Sequence, residues 1–326
     1  MDSGQKPSQD TEPVSPFLCK DGVTERPFLD VPVPWYAKVL RMLLSGTQLP
    51  SSLALLPDGN RRWAKQRNMT PQEGHDGAVI LVEQVLAVAF ALGVTKISVQ
   101  LFSLHNFMRR EDQQRHLFNI LSRFFASITK NWKFYQQRGL SVKVSGDLEL
   151  FPQPVYKRAA TTELTTHQMS GGSQMIVCAP YESRHQITRM ALTLCHAVKN
   201  GLLEPGDIPE RLIDCYNDIE DGPVVDCYLR TSGERRLSDF LTWQSERSFI
   251  YFAPMNFPNF AFWDIFKMLL LYSASSSSRK RLENCYLKAR NDKEQKPSAA
   301  QRMKERKFQS WLETKRQAYL QRLAEE

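Results

Sequence analysis

The sequence lacks several features that identify common classes of protein. No apolar run reaches the roughly 18 residues of a membrane span, because Glu83 and Gln84 interrupt the best candidate, residues 79–94. Residues 1–16 have no apolar core, so we expect no signal peptide there. Neither GxxxxGK(S/T) nor GxGxxG is present, which argues against the usual nucleotide sites. No internal repeat is visible, and the composition is that of an ordinary globular chain.

The cysteines form no recognisable motif, and the excess positive charge is concentrated near one end of the sequence. The cysteines show no CxxC pair and no framework spacing; they are Cys19, Cys178, Cys195, Cys215, Cys227 and Cys285. Several lie in apolar, strand-like runs, so we interpret them as reduced packing residues, which favours a cytosolic location. Residues 279–326 carry a net charge of +7 out of the total of +8, so the basic character belongs to the tail.

Strand-like and helical patterns alternate between residues 53 and 270. The strand-like runs are 53–56, 97–102, 142–144, 175–179, 224–229 and 249–252. The helical runs are about 73–92, 111–138, 152–168, 183–200 and 260–272. This alternation predicts an α/β fold with a mostly parallel central sheet flanked by helices.

The remaining segments suggest three parts of the chain. Residues 1–30 are polar with scattered Pro and Ser, which predicts disorder. The main domain spans 31–272 and begins with an amphipathic helix at 34–46, which either packs on the body or lies on a membrane surface and guides an oily substrate. Residues 273–326 read as a serine-rich linker and a basic helical tail that packs on itself or on a partner. Its mixed charges disfavour nucleic-acid binding.

Polar clusters follow three of the predicted strands. PDGNRR (57–62) follows the first strand, SLHNFMRR (103–110) the second and RTSGERRLSD (230–239) the fifth. Ligands bind beyond the carboxyl ends of strands in such sheets. Together the clusters and the following helix supply Asp58, Arg62, His75, Ser103, Asn106, Arg109, Arg110, Arg230, Ser232, Arg235, Arg236 and Ser238. Arginine forks suit phosphate oxygens, and a lone carboxylate beside them suits Mg²⁺ shared with a diphosphate.

Each cluster also has a simpler explanation. DGN is a turn in most proteins, RTSGERR suits a solvated loop, and His75 is often a helix cap or a structural histidine. Their occurrence together at successive strand ends favours a metal–diphosphate site. Similarly, residues 79–92 and 117–128 either line an apolar tunnel or simply form core.

Six motifs, in order and at family-like spacing, resemble the cis-prenyltransferases. They are DGNRRWAK (58–65), EGH (73–75), LFSLHNFMRR (101–110), DLELFP (147–152), RHQI (184–187) and RTSGERRLSDFLTWQ (230–244). The resemblance covers about residues 34–272 and implies the family's undecaprenyl diphosphate synthase-like fold. Within the family, the chain is most similar to eukaryotic catalytic subunits of dehydrodolichyl diphosphate synthase. Such enzymes condense isopentenyl diphosphate with an allylic diphosphate in the Z configuration.

The resemblance implies a role for each matching position. Asp58 matches the aspartate that binds Mg²⁺ and the allylic diphosphate, and the residues around that diphosphate match Gly59, Asn60, Arg62, His75 and Arg109. Ser103 and Asn106 match residues near the reacting carbons, so with Asp58 they form the expected catalytic set. Arg230, Arg236 and Ser238 match the isopentenyl diphosphate site.

The sequence also departs from the family pattern. His105 replaces the acidic residue of FSxEN, and the other changed positions are Ser52, Pro57, Pro71 and Ala78. Phe249 stands where bacterial homodimers place a second metal-binding glutamate. Eukaryotic catalytic subunits also lack that glutamate and rely on a partner subunit, so the resemblance implies a heteromer of two like-folded subunits or a homodimer.

Three hypotheses about function follow from the resemblance. The first is a Mg²⁺-dependent cis-prenyl elongase of a dolichol-type pathway, held peripherally at the cytosolic face of the endoplasmic reticulum. The second is a specialised synthase that makes a short product or an irregular, branched or cyclic one. The third is a non-catalytic scaffold, which retention of Asp58, Asn106 and Arg230 argues against.

Overall fold

The computed structural model describes residues 27, 29–44, 46–167, 172–293 and 298–326. These residues form a central six-stranded sheet in which every strand pairs in parallel. The strands are β1 (Ser52–Leu56), β2 (Lys96–Gln100), β3 (Leu140–Ser145), β4 (Ser173–Cys178), β5 (Cys227–Arg230) and β6 (Phe249–Phe252). Their spatial order is β3-β4-β2-β1-β5-β6. The predicted α/β fold with a parallel sheet is therefore confirmed.

Helices flank the sheet and continue beyond it. They are α1 (Trp35–Leu43), α2 (Asn60–Gln66), α3 (Pro71–Leu92), α4 (Glu111–Lys130), α5 (Trp132–Gln137), α6 (Gln153–His167), α7 (Ser183–Lys199), α8 (Glu210–Glu220), α9 (Phe262–Ala274), α10 (Ser276–Lys293) and α11 (Ala299–Glu325). We did not predict α2 or α8, because turn formers and polar residues surround both. The helix predicted over 111–138 breaks at Asn131, whose side-chain amide donates to the Ser127 carbonyl.

The largest core lies between the sheet and α3, α4 and α6, where Leu86 and Phe125 are fully buried. Helix α3 begins with a capping box, in which Thr70 and Glu73 satisfy each other's backbone N–H groups, and it ends at Gly93. By length and composition, α3 is also apolar enough to cross a membrane, but the core helix of a soluble protein meets the same criteria. Its buried face makes α3 a core helix here.

The C-terminal tail packs on the body of the protein. Phe308 and Leu312 of α11 are buried with Leu212 and Tyr216 of α8. The serine-rich stretch predicted as a linker is mostly helical, and only Ser275 separates α9 from α10. The Ser275 hydroxyl donates to the Tyr272 carbonyl, so a local hydrogen bond stabilises the connection between the two helices. Of the two alternatives for the tail, the structure has the self-packing one.

The described cysteines are all free thiols. Cys178 and Cys227 are buried in strands as predicted, and Cys215 is half-buried. The packing interpretation is wrong for Cys195 and Cys285, which lie on the exposed faces of α7 and α10. Cys19 lies outside the described residues, as does most of the segment 1–30 that we predicted to be disordered.

Candidate active site

The sheet order brings the three polar clusters together. β1 lies between β2 and β5, so the loops that follow these strands meet at one edge of the sheet. A cavity of about 610 Å³ opens there. Of the residues proposed from the sequence, the cavity is lined by Asp58, Asn60, His75, Ser103, Asn106, Arg109, Arg230, Arg236 and Ser238. Gly59 and Arg62 do not line it.

An ion pair between Asp58 and Arg230 joins the loops after β1 and β5. Arg230 is buried; its Nη2 donates to Asp58 Oδ2 at 2.7 Å, and its Nη1 donates to Ser238 Oγ. The Gly59 N–H donates to Asp58 Oδ1 at 2.7 Å. Burial acts to raise the pKa of Asp58, but the Arg230 hydrogen bond and charge outweigh it and hold this pKa below the ordinary 3.8. Asp58 is therefore an anion at neutral pH.

Arg230 keeps one donor free at this point. Its buried Nε has no hydrogen-bond partner among the described residues. A buried, unpaired N–H is costly, so a site that places one beside a cavity suits an incoming anion. Asn60 Oδ1 is likewise buried and unpartnered.

The loop after β5 is held in an unusual conformation around Arg230. Ser232, Ser238, Asp239 and Leu241 have φ values between 45° and 78°, a region that residues other than glycine rarely adopt. The Thr231 hydroxyl accepts from the Asp58 N–H at 2.9 Å and donates to the Asp58 carbonyl, which locks the two loops together. Backbone strain of this kind is concentrated at functional sites.

Glycine is required at position 59 for steric reasons. Its φ is 103°, and an added Cβ would lie 2.5 Å from Asn256 Oδ1 and 2.9 Å from Asn256 Cα. Gly59 thus shapes the turn into α2 rather than touching the cavity.

The register of α2 decides which of two adjacent arginines faces the cavity. Arg62 turns away, because its Nη2 donates to Ser232 Oγ at 2.7 Å and its Nη1 to Glu234 at 3.1 Å. Arg61 lines the cavity instead. Neighbouring helical residues point about 100° apart, so the RR pair in the sequence does not say which one points inward without the helix register. Sequence reasoning therefore missed Arg61.

His75 of α3 and Arg109, which precedes α4, also line the cavity and contact each other. Arg109 Nη1 lies 3.1 Å from His75 Nε2. Burial, with the charge of Arg109, lowers the pKa of His75 to about 4, so the imidazole is neutral at pH 7 and accepts from Arg109. Burial and the charge of Arg61 lower the pKa of Arg109 to about 10, which leaves it a cation. The proximity of these cations favours an anionic ligand.

The far part of the cavity is apolar. The lining there consists of Ala78, Val79, Val82, Leu117, Ile120, Leu121 and Phe124. Other residues of the same helices, such as Leu86 and Phe125, are core. Most of the lining residues are themselves buried members of this core, so the apolar wall of the cavity is continuous with it. The tunnel stays a prediction.

Three charged residues that line the cavity were given no role from the sequence, although Arg184 lies in the RHQI motif and Asp239 in the RTSGERRLSD cluster. Glu182 and Arg184 follow β4, and Asp239 belongs to the loop after β5. Arg184 Nε donates to Asp239 Oδ2 at 3.1 Å. The available sequence signal for Glu182 and Arg184 was a pair of charged residues after β4, in YESR (181–184). That stretch has fewer polar residues than the three clusters identified from the sequence.

The side chains of the cavity suit a metal ion only if a bound ligand supplies further oxygen ligands. Among the described residues, no group of three or more His, Cys, Asp or Glu side chains is arranged to hold a metal ion. Asp58 supplies one carboxylate, and Mg²⁺ usually takes one or two carboxylates together with substrate phosphates. The arrangement suits a metal shared with a bound diphosphate rather than one held by the protein alone.

Known proteins share the sequence pattern and the fold of this chain. Residues 56–281 match the family described as putative undecaprenyl diphosphate synthase. The chain is 31% identical over 248 residues to a dehydrodolichyl diphosphate synthase complex subunit of Homo sapiens, covering 76% of this chain and 74% of the relative. It is 32% identical to such a subunit of Schizosaccharomyces pombe, covering 74% and 93%. The structure of lavandulyl diphosphate synthase from Lavandula x intermedia, in complex with dimethylallyl diphosphate, matches with a TM-score of 0.64 and 28% identity, covering 69% of this chain and 95% of that one.

Proposed function

This chain belongs to the undecaprenyl diphosphate synthase family of cis-prenyltransferases, and from that premise we propose that it condenses isopentenyl diphosphate with an allylic prenyl diphosphate to give a Z-polyprenyl diphosphate. One observation carries the proposal. The Asp58–Arg230 pair stands at the junction of two groups of anion-binding side chains, at the mouth of a cavity whose far part is apolar.

The two groups suit two diphosphates. On one side, Arg61, His75 and Arg109 suit the allylic diphosphate, and on the other Arg230, Arg236 and Ser238 suit isopentenyl diphosphate. Breaking the allylic C1–O bond builds negative charge on the departing diphosphate, which the arginines stabilise. Two anchored diphosphates also hold C4 of isopentenyl diphosphate close to C1. The new C–C bond forms, and a proton then leaves C2.

Asp58 is the residue that would hold Mg²⁺. A bound Mg²⁺ supplies charge neutralisation at the diphosphate that it shares with the protein. The chain's own contribution is to keep Asp58 ionised, which the hydrogen bonds from Arg230 and Gly59 achieve.

A dolichol-type product and a partner subunit are the finer parts of the proposal. Two relatives are named as subunits of a dehydrodolichyl diphosphate synthase complex, which supports a long Z-polyprenyl product and a heteromer over a homodimer. Phe249 lies in β6 and packs against Tyr272, so this chain offers no carboxylate at that position. We therefore propose that a second subunit of the same fold supplies any further side chain needed to complete the site.

An irregular or short-chain synthase is the second candidate. The match to lavandulyl diphosphate synthase favours it, as do the departures at Pro71 and His105. The scaffold hypothesis is weaker, because a scaffold has no need of a strained loop around Arg230 or of an ionised Asp58.

Product analysis distinguishes these functions. We expect the purified chain, with Mg²⁺, a candidate partner subunit and labelled isopentenyl diphosphate, to convert farnesyl diphosphate to long Z-polyprenyl diphosphates, and to lose this activity when EDTA removes the metal. Ten- or fifteen-carbon products from dimethylallyl diphosphate would instead establish the second candidate. If no product formed under any condition, with or without the partner, the non-catalytic scaffold would be the remaining hypothesis.

We also propose that α1 and α9 contact the membrane, at the cytosolic face of the endoplasmic reticulum. Trp35 of α1 is 78% exposed and Trp263 of α9 is 60% exposed, and Tyr36 stacks on Trp263 at 5.6 Å, which joins the two helices. Met42, Leu43, Leu270 and Leu271 extend this apolar surface, and the nearby cations are Lys38, Arg41 and Lys267. Exposed tryptophan with basic neighbours is typical of interfacial helices.

Sedimentation with vesicles that contain anionic lipid tests this surface. The double change Trp35→Ser and Trp263→Ser is expected to weaken binding at least about tenfold, because burial of one large apolar side chain is worth about 1.5–3 kcal/mol. The matched control is Leu192→Ser, since Leu192 is also exposed but lies on α7. Equal binding of all three proteins would contradict the proposed contact.

A further inference from the structure

The segment that carries Asn106 is poorly supported by its own hydrogen bonds. It forms a short 3-10 helix, Leu104–Met108, with Ser103 immediately before it. The Asn106 N–H donates to the Ser103 carbonyl at 2.9 Å, and the Ser103 hydroxyl lies 3.4 Å from Asn106 Oδ1. Short 3-10 segments have weaker hydrogen-bond geometry than α-helices. The placement of both side chains at the cavity therefore depends on contacts from outside the segment.

Glu182 provides such a contact from the neighbouring loop. Its Oε1 accepts from the His105 backbone N–H at 3.1 Å and lies 2.6 Å from His105 Nδ1. The Glu182 side chain is 13% exposed, whereas the His105 side chain is 79% exposed. One largely buried carboxylate thus holds both the backbone and the ring of a residue in the 3-10 helix.

The carboxylate makes these bonds instead of a common alternative. Glu182 is the N-cap residue of α7, where a side-chain oxygen often accepts from a backbone N–H of the first turn. No such capping hydrogen bond is formed. Next to Glu182, Tyr181 forms an isolated parallel β-bridge with Ser103, and the Tyr181 N–H donates to the Phe102 carbonyl at 3.0 Å. The Glu182–His105 contact therefore extends the ladder between the ends of β2 and β4 to the cavity mouth.

We propose that Glu182 is a positioning residue that, through His105, holds Ser103 and Asn106 in place for the reaction. The clamp itself, Glu182 with His105, stands on geometry, whereas its effect on turnover rests on the proposed function. Arg109 directly follows this segment, whereas Arg230 and Arg236 belong to the end of β5 and the loop after it. Loosening the clamp should therefore lower kcat and leave KM for isopentenyl diphosphate within about twofold. A misplacement of about 1 Å at a reacting centre costs up to about 10²-fold in rate, so we expect Glu182→Ala to lower kcat by about ten- to a hundredfold.

A double-mutant cycle separates the clamp from a general structural effect. His105→Ala keeps its backbone N–H, so it should lower kcat less than Glu182→Ala, and the double variant should equal Glu182→Ala. Glu182→Gln keeps an acceptor oxygen and should recover part of the activity. The matched control is Asp147→Ala, which removes another carboxylate–histidine contact to α7, with His185 at 3.0 Å, away from the cavity lining. Additive effects, or a kcat loss in the control equal to that of Glu182→Ala, would overturn the proposal.

Hydrogen exchange tests the clamp without any need for turnover. In Glu182→Ala, the peptide that covers residues 103–108 should exchange at least about tenfold faster, since the His105 N–H loses its acceptor. The same peptide should be unchanged in Asp147→Ala. Unchanged exchange in Glu182→Ala would refute the clamp even in an active enzyme. Faster exchange in a chain that makes no product would refute the proposed function and not the clamp.

Discussion

Replacing Asp58 by asparagine is expected to lower kcat by at least about 10²–10³-fold, the usual cost of losing one group that stabilises developing charge. Asparagine has the same shape and keeps an acceptor for the Gly59 N–H. It cannot pair with the buried Arg230, however, and it is a poor ligand for Mg²⁺. Steady-state assays at several Mg²⁺ concentrations measure the loss. Asp58→Ala should be at least as severe.

The control for this prediction is an acid outside the cavity. Asp112 is half-buried, pairs with Arg110, accepts from Gln72 Nε2 at 3.1 Å and does not line the cavity, so Asp112→Asn should retain the activity of the unchanged chain. Thermal unfolding of each variant separates a loss of chemistry from a loss of folded protein. If Asp58→Asn kept more than about a tenth of the original kcat, Asp58 would not have the catalytic role that we propose, because the loss would fall short of that for one such group.

Replacing Arg316 by methionine is expected to lower the free energy of unfolding by about 3–5 kcal/mol, the cost of leaving buried charges unpaired. Its guanidinium donates to Glu163 at 2.9 Å, to Glu220 at 2.6 Å and to the Val144 carbonyl of the edge strand β3 at 2.9 Å. The Arg316 side chain is 10% exposed. Without it, two carboxylates stay in a largely buried site, and α11 loses its main polar anchor to the sheet.

Urea denaturation of matched variants measures this effect. Arg322 lies on the same helix but is 50% exposed and pairs with Glu149 and Glu326, so Arg322→Met should cost less than about 1 kcal/mol. Adding Glu163→Gln and Glu220→Gln to Arg316→Met should recover much of the lost stability, because neither of these two carboxylates is then left without its cation. Equal costs for the two arginine changes would show that α11 is held by its apolar residues alone.

Much of the fold was predictable because its signals are local. Apolar runs bounded by turn formers predicted all six strands, and the main errors lay at strand ends. β5 begins at Cys227 rather than at 224, since the side chain of Asp226 accepts from the Ser51 N–H and hydroxyl and from the Ser52 N–H. That carboxylate holds the start of the predicted strand outside the ladder, and no local pattern reveals a contact over 175 residues.

The candidate site was predictable in composition but not in its contacts. Motifs at three strand ends indicated that Asp58, Asn106 and Arg230 belong together. They meet because the carboxyl ends of neighbouring parallel strands lie at the same edge of the sheet. The sequence does not reveal that Arg61, rather than Arg62, lines the cavity, because the register of a seven-residue helix depends on contacts with the loop after β5. The role of Glu182 also depends on two loops meeting in space.

The amino-acid sequence by itself determined the parallel α/β architecture, since periodicity and turn chemistry act within a few residues. Its motifs also indicated the family and the residue types of the candidate site. Only the tertiary structure decided which strands are neighbours, which side chains face the cavity and where the tail lies. These depend on the burial of apolar faces and on pairing between charges far apart in the chain. For Arg316, partners 153 and 96 residues away decide that a basic tail is part of the folded body.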